Sequence, residues 1–177
     1  MICKCPIIIT KPNIAQGGLY QKVSVPCGKC GQCLTQKRNE WTFRIKEEQK
    51  SQHSAHFLTL TYNDESIPKT YGGSETIIKK DLQLFIKRLR IYQTRHTRSK
   101  WKIRYYAVGE YGSLTQRPHY HLIIFNISPK TIQKLESIWG LGNIQICIAN
   151  QKTIHYVTKY HINKYDLSAF PPGCWNT

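Results

Sequence analysis

IRYYAVGEYGSLTQRPHYHLIIF, Ile103 to Phe125, decides how the rest of the chain is read. It reads as two strands joined by a short polar turn, Gly112 to Gln116. In Pro118-His119-Tyr120-His121 the histidines are two residues apart, so on a strand both imidazoles project from one face and Tyr120 from the other. With the hairpin closed around Gly112–Arg117, Glu110 falls opposite His119 on the imidazole face. Two imidazoles and a carboxylate converging from neighbouring strands form an open three-ligand site for a divalent cation. The pair alone has a plainer reading, two hydrogen-bonded histidines.

The chain is long enough for one domain with a real core and short for two. Its 26 Lys+Arg against 10 Asp+Glu leave a formal net charge of +16. Such an excess points to a polyanionic partner, whose binding releases counterions and weakens with salt. Eleven tyrosines and four tryptophans suit stacking on unpaired bases, although many of them belong to the core. No apolar run is long enough to span a bilayer, and CPIII is too short for the core of a signal peptide. The expected setting is therefore cytosolic, where the seven cysteines stay reduced and serve as ligands rather than bridges.

Cys27, Cys30 and Cys33 stand in VPCGKCGQC, a C-x-x-C-x-x-C array whose glycines let the backbone wrap an ion. A fourth thiolate from Cys3 or Cys5 would complete the tetrahedral set of a structural zinc site, with iron–sulfur ligation or free thiols as alternatives. Cys174 has no assigned role, and Cys147 reads as a small core residue on a strand. Residues 1–34 are expected to form a Cys-rich segment packed on a main domain of residues 35–177.

Leu34, Arg38, Trp41, Ile45 and Glu48 recur at helical spacing over residues 34–52. AHFLTLTY, Ala55 to Tyr62, is a strand with Leu58 and Leu60 on one face and Phe57, Thr59 and Thr61 on the other. Residues 79–95 form an amphipathic helix with Leu82, Phe85, Ile86, Leu89 and Tyr92 as its buried stripe. Ser128-Pro129 starts another helix, expected to run to Trp139 and stop at Gly140. Asn143 to Ala149 alternates as a strand, and a last helix is expected from about Asn150 to Tyr165. From Ala55 onward this order predicts an α+β fold with a ferredoxin-like βαββαβ antiparallel sheet. In it FLTLTY lies beside PHYHLIIF at the centre, and the last helix covers the imidazole face.

That last helix, TIHYVTKYHINKY, carries Tyr156 and Tyr160 four residues apart on one face, with Lys159 beside them and Lys164 a turn further on. Taken alone, such a pair is ordinary packing, and His155 and His161 lie off that face. The combination of FLTLTY, RPHYHLIIF and YVTKY resembles the HUH endonucleases that initiate rolling-circle replication. It is closer still to the replication initiators of microviruses of the gokushovirus kind, which also carry a cysteine cluster like VPCGKCGQC, a basic helix with tryptophan, and FIKRLR-like and GEYG-like stretches. The likeness runs from about Cys3 to Lys164.

The resemblance implies His119 and His121 as metal ligands with Glu110 as the third, holding Mg²⁺ or Mn²⁺. It implies Tyr156 and Tyr160 as paired nucleophiles, with YVTK favouring Tyr156 for the first cut and Lys159 as an accessory. It further implies single-stranded DNA at a replication origin as substrate, a host polymerase and helicase as partners, and the cytoplasm of a bacterial host as the setting. Members of this kind often run longer, so this chain reads as a short member or a catalytic fragment. Alternatives are a transposase or plasmid relaxase of the HUH type, and a non-catalytic, zinc-stapled DNA-binding protein.

Overall fold

A computed structural model describes residues 3–112 and 114–160. The expected last turns of the final helix, with His161 and Lys164, and the tail with Cys174 lie outside the described residues. The described chain falls into two compact units. One comprises the residues through Phe43 together with 158–160, and the other runs from Arg44 to Val157.

The second unit is built on the expected sheet. Its strands are β3 (Ala55–Thr61), β4 (Arg104–Tyr111), β5 (Pro118–Phe125) and β6 (Ile144–Ile148), in the order β4-β5-β3-β6. Every neighbouring pair is antiparallel. The first and third strands of this unit therefore sit together at the centre, as a split β-α-β arrangement requires.

Side-chain alternation sends each central strand to both faces. On one face Leu58, Leu60, Tyr120, Leu122 and Ile124 join Phe85, Ile86 and Leu89 of helix α2 (Lys79–His96) in the larger core. Each fully buried Leu or Ile in it contributes about 2 kcal/mol of transfer free energy. Trp139 is fully buried there, ringed by Tyr62, Phe85 and Tyr120. On the other face Ile123 and Phe125 pack with Ile45, Ala149, Ile154 and Val157. Ile45 comes from helix α1 (Gly31–Ser51), and Ile154 and Val157 from helix α5 (Gln151–Lys159), so the last helix does cover the imidazole face.

Two local expectations need correction. The helix expected from Ser128 to Trp139 is two short ones, α3 (Pro129–Ile132) and α4 (Leu135–Trp139). Its ends are as expected: the Ser128 side chain accepts from the Thr131 N–H, and Gly140 closes it with φ of 67°. The break falls at Lys134, whose φ of −114° and ψ of 5° are not helical. Cys147 is exposed rather than in the core, because β6 is an edge strand that pairs only with β3 among the described residues.

In the first unit, β1 (Ile7–Asn13) and β2 (Leu19–Val25) form an antiparallel hairpin within the Cys-rich segment. None of the helices is long and apolar enough to cross a membrane among the described residues.

Candidate functional site

Strand register assembles the acid–imidazole group. Glu110 of β4 pairs directly with His119 of β5, and His121 follows two residues on. Glu110 Oε2 lies 3.2 Å from His119 Nε2 and 2.9 Å from His121 Nε2. Three potential ligand atoms, all within 4.8 Å of one another, face a common point. A carboxylate oxygen and two imidazole nitrogens at such separations can share one divalent cation.

The far sides of the rings are held. His119 Nδ1 donates to the Arg117 carbonyl at 3.0 Å. His121 Nδ1 is 3.1 Å from the hydroxyl of Thr59, its cross-strand partner. Bonds of this type fix ring orientation and leave Nε2 for the metal. Phe57 stacks on the His121 ring with centroids 5.4 Å apart. Neither Thr59 nor Phe57 was singled out from sequence. The signal that finds them is the alternation of FLTLT, which puts both on the imidazole face once β3 is set beside β5.

Helix α5 lays Tyr156 across this group. The Tyr156 hydroxyl is 3.3 Å from His121 Nε2, and its ring meets those of His121 and Phe57 edge-on. Tyr156 is still 37% exposed, which leaves the phenol open to a substrate. Lys159 ends the helix and Tyr160 follows it, the Lys159 ammonium lying 4.9 Å from the Tyr160 ring centroid. His155, taken as ordinary, has its Nε2 3.4 Å from Lys46 Nζ.

Tyr120, between the histidines, has a different task. It is buried on the opposite face, where its hydroxyl donates to the Ile78 carbonyl at 2.8 Å and lies 2.7 Å from that of Tyr62. Tyr62 in turn donates to the Asp81 carboxylate at 2.8 Å. Burial pushes both phenols above the ordinary tyrosine value, so they remain protonated and structural.

In the first unit, the thiols of Cys3, Cys27, Cys30 and Cys33 form a second group within 4.8 Å. The Cys3 sulfur is 3.6 Å from that of Cys27 and 3.8 Å from that of Cys30, and Cys27 is 4.0 Å from Cys33. Tetrahedral zinc with Zn–S bonds of about 2.3 Å sets sulfurs about 3.8 Å apart, so the four thiols suit that ion. The backbone N–H groups of Lys29 and Cys30 point at the Cys27 sulfur and lower its pKa. This favours the thiolate that a metal requires. Of the two candidates for the fourth position, Cys3 joins the group. Cys5 stands outside it and is disulfide-bonded, contrary to the expectation of reduced thiols throughout.

Comparison with known proteins places these features in a family. Residues 55–165 match the family of Replication-associated protein ORF2. Replication-associated protein VP4 of Bdellovibrio phage phiMH2K is 30% identical over 156 residues, covering 78% of this chain and 48% of the relative. Replication-associated protein ORF2 of Spiroplasma virus 4 is 38% identical over 112 residues, covering 63% of this chain and 34% of the relative. Replication-associated protein ORF4 of Chlamydia phage 1 is 28% identical over 160 residues, covering 80% and 38% respectively. The chain spans less than half the length of each of these relatives. It belongs to the Replication-associated protein ORF2 family, with relatives in these three phages.

Proposed function

We propose that this chain is a nickase of the HUH kind, which cuts single-stranded DNA at a replication origin and keeps the 5′ end on a tyrosine. The observation that carries this reading is the Tyr156 hydroxyl, 3.3 Å from a nitrogen of the Glu110–His119–His121 group. A nucleophile and a metal-ligand set brought together from three elements is the minimum equipment for a metal-assisted phosphoryl transfer. The strand order, with β5 central, supports the ferredoxin-like sheet on which such sites are expected.

Glu110, His119 and His121 would hold Mg²⁺ or Mn²⁺. When bound, the cation supplies positive charge against the scissile phosphate, worth several kcal/mol of transition-state stabilisation. The chain's own residues do the rest. Thr59 and the Arg117 carbonyl keep the imidazoles aimed at the common point. The rigid helix α5 holds the Tyr156 phenol beside them. Its oxygen forms the new bond to phosphorus while the bond from phosphorus to the 3′ oxygen breaks, leaving a 5′-phosphotyrosyl link and a free 3′-OH. The phenolic proton must leave in the same step, and Lys159 is the side chain we assign to assist. Tyr160 is the second nucleophile, through which the regenerated origin is cut and the strand rejoined.

The 3′-OH primes a host polymerase, a helicase opens the duplex ahead, and the work takes place in the cytoplasm of the bacterial host. The net charge of +16 supports a polyanionic substrate. The Cys3–Cys27–Cys30–Cys33 group would take a structural zinc ion. The test is incubation with a labelled single-stranded oligonucleotide pool and Mn²⁺. A protein–DNA adduct that survives denaturation and disappears in Tyr156→Phe is expected. Salt-sensitive binding with no adduct overturns the proposal in favour of a binding protein.

A further inference from the structure

A cleft of about 650 Å³ lies where the segment after α2 meets the start of β3 and the end of β5. His56 shares its strand face with Leu58 and Leu60, so the cleft opens on the α2 side of the sheet, opposite the Glu110–His119–His121 group. Along β5 it is about 23 Å from His119 at ~3.3 Å per residue.

The frame of the cleft is firmly tied. Asn126, with φ of 66°, accepts at Oδ1 from the His53 N–H and donates through Nδ2 to Gln52 and to the Lys102 carbonyl. Gln93 donates to the Asn126 carbonyl and accepts from the Ser128 N–H. Against that satisfied frame stand two buried polar atoms of the lining, Ser54 Oγ and His56 Nδ1. Neither has a hydrogen-bond partner among the described residues. Such atoms cost free energy unless something polar meets them. At the rim, the rings of His53 and Trp101 are parallel, with centroids 6.0 Å apart, and Trp101 is half exposed. Arg98 and Lys100 line the same cleft, and no lining residue is acidic.

A planar aromatic platform, two cations and two unmet polar atoms in one cleft match one kind of ligand. We propose that this cleft binds a nucleotide. The base stacks on Trp101 and His53 and hydrogen-bonds Ser54 and His56, and the phosphate is held by Arg98 and Lys100. The site is separate from the metal group and does not depend on nicking. Its ligand is either a free nucleotide or the phosphorylated end of a strand.

The test is calorimetric titration of the full chain with dAMP in the absence of divalent cations. Saturable binding is expected, weakened about tenfold in Trp101→Ala through loss of stacking. It should also weaken in Arg98→Ala, and be unchanged in Glu110→Gln. Trp101 is at the surface, so its replacement leaves the fold intact; Ser54→Ala, a smaller change, should weaken binding severalfold while keeping the platform. Competition by a 5′-phosphorylated oligothymidylate assigns the ligand to a strand end, and absence of competition assigns it to the free nucleotide. Either result supports the site. No saturable binding, undiminished binding in Trp101→Ala, or loss in Glu110→Gln overturns it. Because Tyr156→Phe should abolish nicking without touching this cleft, failure of one proposal is distinguishable from failure of the other.

Discussion

Thr59 and His121 face each other across the β3–β5 pair, and the threonine hydroxyl sits 3.1 Å from the imidazole Nδ1. The opposite nitrogen of the same ring meets both the Glu110 carboxylate and the Tyr156 phenol. One imidazole thus links a positioning hydroxyl, a candidate ligand and a candidate nucleophile. Thr59→Val keeps the shape and removes the bond. It is expected to weaken Mn²⁺ affinity about tenfold or more, measured by calorimetric titration, with the melting temperature little changed.

Tyr156→Phe removes only a hydroxyl from a partly exposed ring. Adduct formation should fall to background, while stability changes by about 1 kcal/mol or less. Denaturant melts run beside the nicking assay would check this. A variant that retains the adduct would shift the first cut to another tyrosine.

Cys3 and Cys5 are two residues apart, yet only Cys3 joins Cys27, Cys30 and Cys33. Metal analysis of purified protein should find zinc in Cys5→Ser and a marked loss of it in Cys3→Ser. Equal retention in both would remove Cys3 from the ligand set.

Gly142 has φ of 153°, and a Cβ there would run into the Thr61 carbonyl oxygen and stand 2.6 Å from the Asn63 nitrogen. Both are backbone atoms that cannot swing aside. Gly142→Ala should destabilise the fold by about 3 kcal/mol, seen as a lowered denaturation midpoint. Thr61 pairs with His119, so nicking should fall as well.

Burial raises the phenols of Tyr62, Tyr106 and Tyr120 above the ordinary tyrosine value of 10.0. Above about pH 10 the unfolded chain ionises them while the native protein does not. The unfolded state then binds fewer protons, so stability falls as pH rises through that range. Melting curves between neutral and strongly alkaline pH should show this slope, and Tyr106→Phe should reduce it.

The acid–imidazole group was legible from sequence because strand alternation and a short turn leave little freedom: Glu110 had to fall opposite His119. The covering helix was legible because the sheet had only one face left for it. The N-terminal hairpin escaped because six of the seven residues of β1 are exposed, so no inside–outside alternation marks it. The break between α3 and α4 escaped because neither Gln133 nor Lys134 is a helix breaker by type. Cys147 was misplaced because a strand's pattern does not tell whether it lies at the edge of a sheet. Thr59 and Phe57 escaped because their role depends on a partner strand some sixty positions away, as the Thr59–His121 pairing shows.

Strand β5 alternates between two solvents: imidazoles toward the cleft under α5, and a phenol and aliphatic chains toward α2. A slip of one position would drive both histidines into oil and swing Tyr120 outward. Stability and chemistry are therefore written on the same eight letters. A lineage carrying this strand has little room to trade one against the other, and innovation must enter through the turn at 112–117 or the helices.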